Sequence, residues 1–260
     1  MSATVVRMAL IPPRHLDGDV QGYRIFSVTR DREPWRVEDV LRDVPITADP
    51  ARRELAWQIA SRGFYAEQAG LTAAATLAAF TDDAPLRFGL ALAAADEARH
   101  ADAFYRYAKA AGGEPDECRE ELAPLDDALV ALPHMGRALV HTMLEGFAAD
   151  EFILLGEIFA DDALGRLYHH VRRDEVRHVA IGLNFLARTS ATEAGLATWA
   201  AHAADWHRTG TELTGLSGIC DWLGELTGRD GTALEAWFLR RHHARLRAAG
   251  IEIGKGGEST

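Results

Sequence analysis

The sequence predicts an all-α protein built around a four-helix bundle, with an arm before the bundle and more helices after it. From Asp49 onward the chain is rich in Ala and Leu and poor in β-branched residues, which favours helix. Four long segments also repeat apolar residues every three or four positions, the spacing that lines one face of a helix.

The first part, residues 1–48, shows no sustained period and is predicted to be an N-terminal arm. Within it, Val5–Ile11 and Tyr23–Val28 are expected to be short strands or extended segments. Trp35–Arg42 is expected to form one or two helical turns.

The bundle is predicted to occupy residues 49–190. Asp49 can cap the first helix, and Pro50 suits the first helical position. Asp-rich turns at residues 81–85 and 160–163 join the helices into two hairpins. The segment between the hairpins, residues 112–133, is rich in Gly and Pro and is expected to be a long crossover.

The last part, residues 191–260, is predicted to form C-terminal helices that pack on the bundle, followed by a flexible tail. The apolar periods indicate helices at residues 192–209, 216–227 and 232–249. The tail Gly254–Thr260 has the composition of a disordered segment.

Composition excludes several classes of protein. The 260 residues suit one large domain, and the net charge of −11 argues against a nucleic-acid partner. The two cysteines exclude a disulfide framework. The longest apolar run, residues 89–95, is far shorter than the ~20 residues that cross a bilayer, so we expect a soluble cytoplasmic protein without a membrane partner.

The sequence Asp-Glu-x-Arg-His occurs twice, at residues 96–100 and 174–178. Glu67 and Glu145 each stand 30 residues before the glutamate of one copy. The midpoint between the two glutamates falls at or beside the Asp-Asp turn in both halves. With a rise of ~1.5 Å per residue, both glutamates of a hairpin therefore lie at the same height in the bundle.

This repeat predicts a dinuclear metal site. Glu-x-x-His places both side chains on one helix face, and burying four carboxylates without compensation is costly. Two divalent cations neutralise four carboxylates, and the mixture of oxygen and imidazole ligands suits iron or manganese. The predicted metal-binding and catalytic residues are Glu67, Glu97, His100, Glu145, Glu175 and His178.

Over residues 50–190 the chain resembles the ferritin-like di-iron carboxylate superfamily. The doubled motif is particularly similar to its oxygen-activating branch of monooxygenases and desaturases. The resemblance implies two iron ions per chain, with manganese as an alternative metal. It also implies that Asp96 and Asp174 accept hydrogen bonds from the histidines, and that Arg99 and Arg177 brace the aspartates.

Two positions depart from that family. Phe104 stands where the ribonucleotide reductase small subunit carries its radical tyrosine. Ala148 and Ala149 stand where monooxygenases and desaturases usually carry a threonine. The reaction therefore stays open among hydroxylation, N-oxygenation and desaturation.

Small residues one turn from the ligands predict a substrate cavity with apolar walls; close helix packing is the alternative reading. The predicted pocket residues are Phe64, Ala93, Phe104, Ala148, Phe152 and Gly182. His141, one turn before Glu145, is either an extra ligand, a proton shuttle or a hydrogen-bonded core histidine.

We therefore expect an oxygen-dependent non-haem di-iron oxidoreductase. Its partners would be dioxygen, a small organic substrate and a separate electron donor, and the chain is expected to form a homodimer. A ferritin-like iron oxidase or store and a manganese–iron ligand-binding oxidase are the alternatives. The substrate and the electron donor are not identified by the sequence.

Overall fold

The computed structural model describes residues 21–42, 45–116 and 131–253. The predictions for Val5–Ile11 and Gly254–Thr260 lie outside these ranges. Within them the chain is helical and contains no strand. The helices are α1 Gln21–Arg30, α2 Val37–Leu41, α3 Pro50–Phe80, α4 Ala84–Ala111, α5 His134–Ile158, α6 Ala163–Ser190, α7 Glu193–Leu213, α8 Leu216–Thr227 and α9 Gly231–Ala248.

Helices α3 to α6 form the predicted four-helix bundle. The pairs α3–α4 and α5–α6 pack along their lengths as two hairpins, and α4 packs on α6 between the hairpins. Asp49 caps α3 by accepting a hydrogen bond from the Arg52 amide at 3.0 Å, and Pro50 takes the first helical position. Asp83 and Asp162 cap α4 and α6 with their side chains.

The N-terminal part differs from the prediction at Tyr23–Val28, which lies in helix α1 rather than in a strand or extended segment. Tyr23 and Phe26 are three residues apart and both pack on Phe88 of α4, with ring centroids 6.4 and 5.5 Å apart. The segment has high strand propensity, but packing of one helical face against the bundle overrides it. The predicted turns at Trp35–Arg42 are confirmed as α2.

Helices α7, α8 and α9 confirm the three predicted C-terminal helices. Trp206 of α7 lies against Gly136 of α5, where an added Cβ would come within 3.0 Å of the indole. Side chains from before, within and after the bundle share one hydrophobic core. The division at residues 48 and 190 therefore stays a proposal about how the chain is organised.

The helices of the described ranges are all too short or too polar to cross a lipid bilayer.

A cluster of three histidines lies where α9 packs near α7. His242 is 1% exposed, and its ring centroid lies 5.2 Å from that of His207. His243 lies 5.2 Å from His207 on the same measure. Burial, followed by the charges of His207, His243 and Arg245, lowers the pKa of His242 to about 3.

We predict that His242 makes the fold sensitive to acid. Its folded-state pKa is far below its ordinary value of 6.5, so the unfolded chain takes up the proton first as pH falls. When the pH falls from about 7 to about 5, the unfolding free energy of the wild-type chain should decrease by about 2 kcal/mol more than that of the His242→Leu variant. Urea unfolding at both pH values measures this difference.

His169→Leu serves as the control, because His169 is exposed on α6 and should leave the wild-type pH dependence unchanged. An equal loss of stability in His242→Leu and in the wild type would contradict the prediction.

Candidate metal centre

The six predicted metal-binding residues converge in the middle of the bundle. Helices α3 and α5 each supply one glutamate, whereas α4 and α6 each supply a glutamate and a histidine one turn later. None of the six is more than 6% exposed. The residues are Glu67, Glu97, His100, Glu145, Glu175 and His178.

Each histidine points its Nδ1 atom at three carboxylates. His100 Nδ1 lies 3.1 Å from Glu67 Oε2, 3.4 Å from Glu97 Oε2 and 3.2 Å from Glu175 Oε1. His178 Nδ1 lies 2.9 Å from Glu175 Oε2, 3.0 Å from Glu97 Oε1 and 3.3 Å from Glu145 Oε2. Glu97 and Glu175 therefore stand between the two histidines.

The cluster divides into two overlapping groups of four residues. Both groups contain Glu97 and Glu175; one adds Glu67 and His100, and the other adds Glu145 and His178. Within each group the ligand atoms lie within 4.8 Å of one another. This is the spacing and donor chemistry of two ion sites that share two carboxylates.

Two buried oxygens support this fit. Glu97 Oε1 and Glu175 Oε1 accept no hydrogen bond of good geometry from the described residues, although a histidine nitrogen lies near each. A buried carboxylate oxygen without a donor is costly, and a cation between the two glutamates would satisfy both oxygens. The residues present therefore fit a pair of divalent cations.

The pKa shifts within the cluster also support a pair of cations. Burial, then the charge of Glu97, raises the pKa of Glu67 well above its usual range. Burial, then repulsion from Glu97 and Glu145, raises the pKa of Glu175 to about 8. Burial opposes the charge on His100, but Glu67 and the neighbouring carboxylates raise its pKa well above its usual range. Without cations the cluster holds protons, which bound cations would displace.

The second nitrogen of each histidine faces an aspartate of the opposite hairpin. His100 Nε2 lies 3.1 Å from Asp174 Oδ2, and His178 Nε2 lies 3.3 Å from Asp96 Oδ2. An acceptor at this position holds the imidazole with Nε2 protonated and leaves Nδ1 free for a cation. The structure thus brings both predicted aspartates behind the histidines, in a crosswise arrangement.

Two arginines join the aspartates. Arg99 pairs with Asp96 and lies 2.8 Å from Asp174 Oδ2. Arg177 lies 3.1 Å from Asp96 Oδ2 and 2.5 Å from Asp174 Oδ1. Each arginine therefore bridges α4 and α6, and the four side chains link the two hairpins beside the metal-binding cluster.

Trp35, which no sequence pattern marks as a site residue, completes this side of the cluster. Its indole N–H donates a hydrogen bond of 2.7 Å to Asp174 Oδ2, and its ring stacks parallel to His100 with centroids 5.9 Å apart. The Arg99 guanidinium lies 5.0 Å from the centre of the same ring. Trp35 precedes the short helix α2, and no spacing rule connects it to a residue 139 positions away.

On the other side, a cavity of about 660 Å³ extends from the carboxylates. Side chains of α3, α4, α5 and α6 line it near the cluster, and the start of α8 lines it farther out. Glu212, at the end of α7, is exposed and lies at its mouth. The four glutamates that line the inner end are Glu67, Glu97, Glu145 and Glu175.

Two of the six predicted pocket residues, Ala148 and Phe152, line this cavity. Phe64 lies outside it and packs on Tyr65 and Tyr105, with centroids 5.0 and 5.7 Å away. Phe104 is fully buried in the bundle. Phe104 therefore belongs to the core and Phe64 packs against it half-buried, and neither forms the cavity wall.

The predicted small pocket residues Ala93 and Gly182 also lie outside the cavity lining. Ala93 is 1% exposed within the hydrophobic core. At Gly182 an added Cβ would lie 1.9 Å from the Thr142 hydroxyl oxygen. Gly182 leaves no room for a larger side chain, which agrees with close helix packing, and Ala93 is enclosed by the core.

His141 lies beside the cluster but outside the two ligand groups. Its Nε2 atom is 3.0 Å from Glu145 Oε1, without the geometry of a hydrogen bond. His141 also lines the cavity. The cavity residues Arg62 and Glu151 lie off the apolar stripes of their helices, and Trp222 comes from a helix outside the bundle, so the sequence pattern does not connect them with the site.

The two hairpins and their inward-facing carboxylates define the fold as a ferritin-like helical bundle. Solved structures with this fold include three variants of an R2-like ligand-binding oxidase with a reconstituted Mn/Fe cofactor. Their TM-scores are 0.67, 0.68 and 0.68, at 16%, 17% and 16% identity. Each match covers 91% of this chain and 95% of the other.

At this level of identity the likeness establishes the fold, and it confirms the predicted fold class. No family model matches the chain, and no curated protein matches it in sequence.

We predict that Asp174→Asn weakens metal binding. Asp174 faces His100 and pairs with both bridging arginines, so its loss removes the acceptor that orients the imidazole. Iron affinity should fall ~10–100-fold, as is typical when such a partner is removed. Competition with a chelator measures the affinity.

Asp161→Asn is the matched control, because the Asp161 side chain is 75% exposed. Equal iron affinities of Asp174→Asn and the control would contradict the role given to Asp174.

Proposed function

We propose that this chain is an oxygen-dependent non-haem dimetal oxidoreductase that acts on a small organic compound. The observation that carries the proposal is the pair of overlapping ligand groups sharing Glu97 and Glu175, which opens onto a cavity. A metal site without such a cavity would serve equally well for storage or structure.

The proposed ligands are the four glutamates and two histidines of the cluster. Four carboxylates balance two divalent ions, so the loaded site is neutral apart from the paired aspartates and arginines. Iron is the proposed metal, and a manganese–iron pair is the alternative. The Mn/Fe cofactor of the R2-like oxidases supports this alternative, because those proteins share the fold.

Bound metal ions would supply electrons to dioxygen and so provide the oxidising chemistry. The residues of this chain would position the reactants. Asp174 and Asp96 hold the histidine Nε2 protons, so that Nδ1 faces the carboxylates. Ala148 leaves room for the substrate, and Phe152 and Tyr168 keep water from that side of the cavity.

The reaction is proposed to be hydroxylation, N-oxygenation or desaturation. Electrons would come from a separate donor, since the sequence has no flavin or nicotinamide motif. We also propose that the protein works in the cytoplasm as a homodimer. The buried free thiol of Cys220 agrees with a reducing compartment.

We predict about two metal ions per chain after reconstitution with ferrous iron, as measured by elemental analysis. Glu97→Ala should reduce the content to less than one ion, because it removes a carboxylate shared by both ligand groups. Glu54→Ala, an exposed position on α3, should keep the wild-type content. A single tetrahedral zinc ion would refute the dimetal proposal.

We also predict that Ala148→Phe separates metal binding from substrate oxidation. The larger side chain enters the cavity and should leave both metal ions and oxygen consumption in place, but abolish turnover of the organic substrate. Product formation and oxygen uptake measure the two effects.

Ala197→Phe, on the exposed side of α7, is the control and should keep full turnover. A protein that only oxidises or stores iron would show no such separation. Unchanged turnover in Ala148→Phe would place the substrate elsewhere.

A further inference from the structure

The cavity contains one acidic residue whose charge the described residues do not balance. Glu151 lies on α5, six residues after Glu145 and therefore about 9 Å farther along the helix axis. Within the described ranges it forms no hydrogen bond and no ion pair. Glu151 lines the cavity beyond the inner end where the metal-binding glutamates lie.

The groups that face Glu151 come from three helices. The charge of Arg62 on α3 acts on Glu151, and the charge of Glu151 acts on Tyr168 of α6 and on Cys220 of α8. Arg62 is exposed, and its guanidinium lies 5.4 Å over the ring of Trp222. Burial, opposed only in part by Arg62, raises the pKa of Glu151 to about 7.

A cation in the cavity would supply the compensation that Glu151 lacks. Outside the four glutamates at the inner end, the second acidic residue of the wall is Glu212 at the exposed mouth. The aromatic rings of Tyr65, Tyr168 and Trp222 favour a cation over an anion. An organic carboxylate or phosphate would be repelled by Glu151 and Glu212, and the cationic Arg62 of the wall is exposed and lies over the Trp222 ring. A ligand with an apolar body and a protonated amino group suits the apolar wall and Glu151 together.

We propose that Glu151 is the specificity-determining residue of this cavity, that it binds the ammonium group of the substrate, and that the substrate class is organic amines. This inference rests on the proposed function. The apolar part of the amine would extend past Ala148 and Phe152 toward the carboxylate cluster, where oxidation would take place.

Calorimetric binding of three probes to iron-reconstituted protein tests the proposal. The probes are n-hexylamine, n-hexanol and hexanoate, which share one apolar chain and differ in charge. Hexylamine should bind about tenfold more tightly than the other two, as expected for a charge-assisted hydrogen bond in a partly buried site. Hexanoate binding as tightly as hexylamine would overturn the proposal.

Variants of Glu151 then test whether this residue causes the preference for hexylamine. Glu151→Gln should lose the tenfold preference for hexylamine and keep the affinity for hexanol. Glu157→Gln, the same change on an exposed residue of α5, should behave as wild type. Glu151→Asp keeps the negative charge but places it farther from the cavity, because the side chain is one methylene shorter. It should weaken hexylamine binding severalfold and leave the affinity for hexanol unchanged. Unchanged hexylamine binding in both Glu151 variants would refute the proposal.

The metal content of the same samples distinguishes a failure of the amine inference from a failure of the proposed function. Protein that holds two metal ions but shows no preference for hexylamine contradicts the amine inference alone. Protein that does not bind two ions contradicts the proposed function, whether or not hexylamine binds.

Discussion

The need to balance buried carboxylates dominates the structure of this protein. Four glutamates meet inside a bundle where water does not compensate their charge, and each would be costly if left alone. The two histidines supply part of the balance, and the raised pKa values of Glu67 and Glu175 indicate that the remainder is missing without cations. The proposed metal pair follows from this constraint.

The same constraint accounts for the repeat in the sequence. Each Asp-Glu-x-Arg-His segment supplies one glutamate and one histidine to the cluster, and the aspartate of each segment serves the histidine of the other. The arginines then bridge both aspartates, so the salt-bridged group is neutral in total. This crosswise arrangement makes the metal-binding cluster depend on the docking of the two hairpins. Neither half can form the arrangement on its own.

Small residues near the cluster serve two purposes, and only their positions in space distinguish them. Gly182 allows helices to approach closely and Ala93 is enclosed by the core, whereas Ala148 faces an open cavity. All three lie about one turn from a proposed ligand on their own helices. A small side chain allows close helix contact where another helix covers that side of its own helix. Where no element covers that side, the small side chain leaves an empty volume.

The sequence by itself determined the bundle, its two hairpins and the six candidate ligands. The regular apolar spacing defined the helices, and the equal distances from Glu67 and Glu145 to the repeated segments brought the carboxylates to one height. These are properties of local geometry, because a helix converts sequence spacing directly into position. The cluster of candidate ligands could therefore be predicted residue by residue, whereas four of the six predicted pocket residues lie outside the cavity lining.

Only the tertiary structure decided what surrounds the cluster. Trp35 reaches Asp174 from the segment that precedes α2, Tyr23–Val28 becomes helical against α4, and the cavity is lined by α8 as well as by the bundle. Glu151 is half-buried in a cavity whose outer wall comes from α8. These contacts join residues far apart in the chain, and no local period encodes them. Their formation depends on which helix faces meet when the hairpins and the outer helices pack.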